Sequence, residues 1–204
     1  MGIEFEVVVP GVDELTGGDP EVEVLENARM KAHAVGGAEG VSGRMLGFSP
    51  RSSSPSEMGR RGEKRTPRPP GHPLHSSYFI ACDTDVVLDG RALGKPADER
   101  EAREYLERMS GRPHVVLSGL VVLADGEERS GLERTTVVFK ELTEAEKERY
   151  VAFGEWRGRS GGYAIQTLGS TLVERVEGSV SNVVGLPVGL LADLAPELLR
   201  GVAA

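Results

Sequence analysis

The chain is poor in the residues that mark several large classes of protein. Its 204 residues include one cysteine, Cys82, which excludes an internal disulfide and a zinc site built from several cysteines. No apolar run approaches the roughly 20 residues of a membrane-spanning helix, and the N-terminus lacks the pattern of a signal peptide. We therefore expect a cytoplasmic protein with no membrane partner.

Basic residues are also scarce relative to acidic ones. There are 24 Lys and Arg against 32 Asp and Glu, a net charge of −8. Nucleic-acid binding needs a basic surface, so we expect no nucleic-acid partner. A small nucleotide stays possible, because a few cations together with a divalent metal can hold one triphosphate in an acidic protein.

The first third of the chain predicts two regular elements and an insertion. Residues 4–10 alternate apolar and polar positions with β-branched side chains, which predicts a strand. Apolar residues at helical spacing predict a helix over residues 22–35. Residues 36–77 are rich in Gly, Ser, Pro and Arg and show no periodicity, which predicts a disordered insertion rather than a phosphate- or RNA-binding arm.

The remaining two thirds alternate strands and helices. A buried strand is predicted at 78–82, further strands at 114–123, 135–139 and 171–176, a hairpin at 86–93, and helices at 98–109, 143–153 and from Pro187 onward. The sum is an α/β protein: a single domain over residues 1–204 with a mixed, hairpin-containing β-sheet flanked by helices, interrupted by the insertion.

The segment from Cys82 to Pro96 carries the strongest chemical signal. It places Asp83 at the end of a buried strand and returns Lys95 towards it through a hairpin. Such an acid and base suit phosphate binding and activation of water, although Asp83 could equally cap a turn. Lys31 lies on the apolar face of the first helix, where a lysine either extends to solvent or points into a site. The candidates for phosphoanhydride hydrolysis are Glu14, Lys31, Asp83, Lys95 and Gln166.

The same segment, residues 83–96, resembles the signature of the Maf family of nucleoside triphosphate pyrophosphatases. Further segments similar to the family follow in the family's order, at residues 5–14, 28–32, 109–119, 135–139, 150–155, 161–166 and 181–187. The resemblance covers all of the chain except the insertion.

The resemblance implies an enzyme that splits a nucleoside triphosphate into the monophosphate and pyrophosphate. It implies that Asp83 accepts a proton from water, that Glu14 and Asp83 hold Mg²⁺ or Mn²⁺, and that Lys31 and Lys95 neutralise the phosphates. It also implies a homodimer.

The resemblance extends to substrate choice. The sequence Tyr163-Ala164-Ile165-Gln166 is similar to the dTTP/UTP branch of the family. Thr84 and Gln166 would then contact the base, although Gln166 could instead be a loop amide bonded to backbone. Arg159 stands where relatives often carry a lysine and would keep that positive charge.

The chain also departs from the family pattern at its start. It begins at the strand that normally follows the family's first strand, a Ser-x-Ser-Pro-Arg-Arg loop and a helix. That departure leaves two explanations, a truncated gene model or a protein with impaired catalysis. The alternative function is therefore a nucleotide-binding or cell-division regulatory protein without full activity.

Overall fold

An antiparallel sheet of five strands organises the part of the chain that the structure describes, which is residues 5–39 and 78–200 of a computed structural model. The strands are β1 (Tyr78–Leu88), β2 (Arg91–Ala92), β3 (Pro113–Ala124), β4 (Glu127–Phe139) and β5 (Val173–Glu177). Their order across the sheet is β2-β1-β3-β4-β5, and each neighbouring pair is antiparallel.

Helices flank this sheet and alternate with its strands along the chain. They are α1 (Pro20–Glu39), α2 (Glu99–Met109), α3 (Glu144–Phe153), α4 (Val180–Val184), α5 (Val188–Leu194) and α6 (Glu197–Arg200). The predicted α/β fold class is confirmed. None of the helices in the described ranges is long and apolar enough to cross a bilayer.

Helix α1 covers one face of the sheet at very short range. Val24, Ala28 and Ala32 are buried against β1 and β3. Gly119 in β3 permits the approach, because a Cβ atom there would lie 2.3 Å from the carbonyl oxygen of Val24. Because glycine has no side chain, position 119 allows the short distance between α1 and the sheet.

The main apolar core lies on the other face, under α2 and α3. Its large members include Leu106, Met109, Phe139 and Tyr150. His114 is also buried there, 2% exposed, with its Nε2 atom 2.8 Å from the Tyr163 hydroxyl and its ring edge-on to Phe139. Burial lowers the pKa of His114 to about 4, so the ring is neutral in the folded protein.

Most of the predicted elements are confirmed, and the local signals account for them. Asp89 and Gly90 both have positive φ and connect β1 to β2 by a two-residue turn. Asp98 caps α2, and Thr143 with Glu146 forms a capping box at the start of α3.

The strand predicted at residues 4–10 is wrong for the residues described. Residues 5–16 form no regular secondary structure, and Phe5 and Val9 are 82% and 89% exposed. A strand needs a hydrogen-bonded neighbour, and none of the described strands pairs with this segment. Alternating sequence alone does not supply that neighbour.

The insertion predicted at 36–77 lies outside the described residues, apart from its first four positions. Those four continue α1 to Glu39, so the helix is longer than its apolar pattern indicates. The prediction of disorder for residues 40–77 stays a prediction.

Replacing Gly119 by alanine should destabilise the fold by at least about 3 kcal/mol, because backbone atoms of α1 must move to admit the new methyl group. Urea unfolding followed by circular dichroism measures the change. Gly189→Ala is the matched control, since no atom lies within 4 Å of its Cβ position in α5, and it should stabilise by about 0.5–1 kcal/mol. Equal stability of the two variants would contradict the packing described for α1.

The buried His114 should make stability depend on pH. Its pKa is lowered from 6.5 to about 4 in the folded state, so its contribution is complete above pH 6.5 and is lost as pH falls towards 4. We expect a loss of about 3 kcal/mol over that range. His114→Gln keeps a partner for Tyr163 but does not titrate, so its unfolding free energy should fall less between pH 7 and pH 4. Identical pH slopes for the two proteins would show that His114 is not buried as a neutral ring.

Candidate functional site

The ammonium group of Lys31 joins two carboxylates from separate parts of the chain. Its Nζ atom lies 2.5 Å from Asp83 Oδ1 and 2.7 Å from Glu14 Oε1. Helix α1 supplies the lysine, β1 supplies the aspartate, and the segment before α1 supplies the glutamate. The two carboxylates can therefore lie close together because one cation lies between them.

Lys95 adds a second cation at the edge of this group. Its Nζ atom lies 3.6 Å from Glu14 Oε2, and its side chain is more exposed than that of Lys31. We call Glu14, Lys31, Asp83 and Lys95 the carboxylate–lysine cluster.

The cluster shifts the titration of two of its members. A hydrogen bond from Lys31 lowers the pKa of Glu14, with burial opposing it. Burial by itself would lower the pKa of Lys31, but hydrogen bonds to Asp83 and Glu14 outweigh burial and raise it. Both groups are therefore charged around neutral pH.

Asn27 supports the cluster through a hydrogen bond to Asp83. The sequence did not identify it as a site residue. Its side chain is buried and donates from Nδ2 to Asp83 Oδ2 at 3.1 Å. It also exchanges two hydrogen bonds with the backbone of Leu15. The signal was available, because Glu23, Asn27 and Lys31 follow one another at intervals of four residues and lie on one face of α1.

A cavity of about 250 Å³ lies against the opposite face of β1. Four predicted site residues are among those lining it: Thr84, Lys95, Arg159 and Gln166. The remaining walls are mostly apolar or small side chains and include Val86, Val116, Tyr163 and Val184. A concave, partly open space with a few polar groups is typical of a small-molecule site.

Thr84 lines this cavity, and a hydrogen bond to Ser118 fixes the orientation of its side chain. Its Oγ1 atom lies 2.7 Å from the hydroxyl of Ser118, which is fully buried in β3. Cys82, two residues earlier on the same face of β1, is half-buried and free, and burial raises the pKa of its thiol. That environment agrees with the prediction of a small packed residue rather than a reactive thiol.

Several hydrogen bonds fix the loop that carries Arg159 and Gln166. Ser160 Oγ accepts from the Val86 N–H at 3.0 Å and donates to Asp85 Oδ1 at 2.8 Å. The Gly161 N–H donates to the Gly94 carbonyl at 2.7 Å. Further along, the Ala164 N–H donates to the Tyr150 hydroxyl at 3.1 Å. This anchoring holds the cavity wall to both β1 and the core.

Asp85 is the second carboxylate on the α1 face of β1. Burial raises its pKa, the hydrogen bond from Ser160 opposes the shift, and the charges of Asp83, Glu23 and Glu14 add to it. Ser160 and Asp85 were not identified as site residues in the sequence.

The structure thus divides the predicted site residues into two groups. Glu14, Lys31 and Asp83 form the carboxylate–lysine cluster on one face of β1, while Thr84, Arg159 and Gln166 line the cavity on the other. Lys95 belongs to both groups.

One prediction about Asp83 is wrong. The residue lies in the middle of β1, paired with Gly119, rather than at the end of a strand or in a turn. The run Asp83-Thr84-Asp85 suggested a strand end because polar residues are rare inside strands. Here each of the three has a partner, namely Lys31, Ser118 and Ser160 respectively, so the strand continues through them.

Within residues 5–39 and 78–200, no three His, Cys, Asp or Glu side chains gather as a set of metal ligands. The carboxylates of Glu14 and Asp83 both contact the Lys31 ammonium.

Relatives whose names state an activity align with nearly the whole chain. A dTTP/UTP pyrophosphatase of Deinococcus radiodurans is 37% identical over 202 residues, covering 98% of this chain and 84% of the relative. One from Pelotomaculum thermopropionicum is 40% identical over 198 residues, covering 95% and 85%. One from Dictyoglomus thermophilum is 32% identical over 203 residues, covering 97% and 87%.

A sequence model of one family spans nearly the whole chain. It describes the Maf-like proteins and matches residues 1–198. The match includes the two carboxylates, both lysines and every cavity residue named above. The chain belongs to the Maf-like protein family.

Proposed function

We propose that the protein hydrolyses dTTP and UTP to the nucleoside monophosphate and pyrophosphate. One observation carries the proposal: adjacent residues of a single strand, Asp83 and Thr84, face a carboxylate–lysine cluster on one side and a cavity on the other. The relatives' names, dTTP/UTP pyrophosphatase, supply the substrate class.

The base and the phosphates would occupy different faces of β1. Beyond its short pairing with β2 at residues 87–88, the outer edge of β1 has no strand partner among the described residues. A nucleotide can therefore pass around this edge, with its base in the cavity and its phosphates at the cluster. Lys95 borders both and suits the link between them.

Lys31 keeps the capacity to bind phosphate while it holds the carboxylates. An ammonium group has three N–H donors, and Glu14 and Asp83 use two of them. The third is available to a phosphate oxygen. Lys95 and Arg159 would share the remaining negative charge of the triphosphate, which grows on the leaving pyrophosphate as the bond breaks.

Asp83 would accept the proton of the attacking water. Each of its oxygens has one partner, Lys31 on Oδ1 and Asn27 on Oδ2, and a carboxylate oxygen accepts more than one hydrogen bond. Both partners donate to the carboxylate, so each oxygen still has an acceptor position for the attacking water. Removing the proton as the water attacks phosphorus avoids a hydronium intermediate.

A divalent cation fits the donor set. Mg²⁺ prefers oxygen ligands and commonly binds through one or two carboxylates together with substrate phosphates. Glu14 and Asp83 are two such carboxylates and already converge on one cationic group. When bound, Mg²⁺ or Mn²⁺ would neutralise phosphate charge beside them.

The activity is tested by incubating the protein with dTTP, UTP or CTP and Mg²⁺ and measuring pyrophosphate. We expect release from dTTP and UTP, and a loss of about 10²–10⁴-fold in Asp83→Asn because the variant lacks the base. Asp193→Asn, an exposed carboxylate of α5, is the control and should retain the wild-type rate.

Turnover that survives Asp83→Asn would remove Asp83 from the role of base. If the wild-type protein released no pyrophosphate from any nucleotide but still bound dTTP, the regulatory, nucleotide-binding alternative would replace the proposal.

Gln166 should contribute to base recognition. Its amide can donate to and accept from the edge of a pyrimidine, and Gln166→Leu removes both bonds at similar volume. We expect kcat/KM for dTTP and UTP to fall about tenfold, the equivalent of one hydrogen bond, with little change for a poor substrate such as ATP. An equal fall for every nucleotide would assign Gln166 to the loop structure instead.

A further inference from the structure

The side chain of Asn27 connects three parts of the site. It projects from α1, is 2% exposed, and bonds to the backbone at Leu15 and to the carboxylate of Asp83. Its Oδ1 atom accepts from the Leu15 N–H at 2.7 Å. Its Nδ2 atom donates to the Leu15 carbonyl at 3.2 Å and to Asp83 Oδ2 at 3.1 Å. Every donor of the amide is used.

The contacts determine which way the amide faces. The Leu15 N–H can bond only to an acceptor, and the oxygen of the amide provides it. The NH₂ group must then face Asp83, which needs donors. An aspartate at position 27 would keep the bond to the Leu15 N–H but would place a second carboxylate against Asp83. A leucine would fill the same space with no polar contact.

Two residues one helical turn apart thus fix the Asp83 carboxylate. Lys31 holds Oδ1 and Asn27 holds Oδ2, so rotation of the group would break one bond or the other. Asn27 also secures the residue next to Glu14, in a segment that has no regular secondary structure. Asn27 therefore contributes to the position of both carboxylates, directly at Asp83 and through Leu15 at Glu14.

We infer that Asn27 is a positioning residue for the hydrolysis, holding the Asp83 carboxylate and the Glu14 segment in one arrangement. The inference rests on the proposed function and adds to it a residue that does not touch the substrate. A group of this kind acts on the chemical step, because a displacement of about 1 Å in a reacting group can cost roughly 100-fold in rate.

The first test compares kcat and KM for dTTP in the wild type, Asn27→Leu and Asn27→Asp. We expect kcat to fall about 100-fold in both variants while KM stays within about threefold, since the cavity residues are untouched. Asn27→Asp keeps the contact to the Leu15 N–H and decides the matter if Asn27→Leu does not fold. Thr143→Ala, which removes the capping box of α3, is the control: its melting temperature should fall with kcat within about twofold of wild type.

The second test separates positioning from general stability. In an Asp83→Asn background the carboxylate to be positioned is gone, so adding Asn27→Leu should lower the residual rate by no more than about twofold. A merely structural role would lower the rate by the same factor in both backgrounds. Hydrogen exchange at the Leu15 amide should also become faster in Asn27→Leu, without any substrate present.

The outcomes distinguish the inference from the function on which it rests. An active wild-type protein whose Asn27 variants retain kcat within about threefold would overturn the inference alone. Full additivity in the Asp83→Asn background would do the same. A wild-type protein that releases no pyrophosphate would overturn the proposed function and this inference with it.

Discussion

The bridge from Lys31 to Glu14 and Asp83 is the interaction on which the site depends. Two carboxylates that approach one another repel, and water is too weak a partner to hold them in place where they are partly buried. The shared ammonium removes that repulsion with contacts of 2.7 and 2.5 Å. It acts together with the Asn27 hydrogen bonds, which join the same strand, helix and N-terminal segment.

The packing of α1 against β3 determines where the bridging side chains lie. Lys31 and Asn27 can reach Asp83 because α1 lies almost on the backbone of β3, and the helix can lie there because position 119 has no side chain. Gly119 is also the residue paired with Asp83 across the two strands. The pairing of Asp83 with Gly119 therefore places the candidate catalytic residue beside the position where α1 approaches the sheet.

Strand β1 lies between the carboxylate–lysine cluster and the cavity proposed to bind the base. Successive side chains of a strand point to opposite faces, so Asp83 and Thr84 serve different sites although they are neighbours in sequence. Ser160 connects the two sides, because it lines the cavity and bonds to Asp85 on the face of the cluster. A nucleotide bound around the edge of the strand would contact both.

The sequence predicted the elements with strong local signals and missed those that depend on distant partners. The hairpin at 86–93 and the helices at 98–109 and 143–153 depend on signals within a few residues, and all three are present. Residues 5–10 carry a strand pattern, but pairing is a property of the whole fold, and no described strand lies beside them. Asp83 was placed at a strand end for the same reason, since its partner Lys31 is 52 residues away.

The candidate site was predicted in part. The residue chemistry suggested Glu14, Lys31, Asp83 and Lys95, the resemblance to the family implied their roles, and the structure shows that they adjoin one another. Asn27 was missed because its four-residue spacing from Lys31 indicates a site only once their shared partner, Asp83, is known. The bound metal, the homodimer and the cytoplasmic location stay predictions.

The account is tested most directly by a structure of the protein with Mg²⁺ and the non-hydrolysable analogue α,β-methylene-dTTP. It predicts the thymine in the cavity between Thr84 and Gln166, and the phosphates around the edge of β1 within reach of Lys31 and Lys95, with Asp83 facing the α-phosphorus. An analogue bound elsewhere, such as in the groove between Asp19 and Arg134, or phosphates directed away from Asp83, would contradict it.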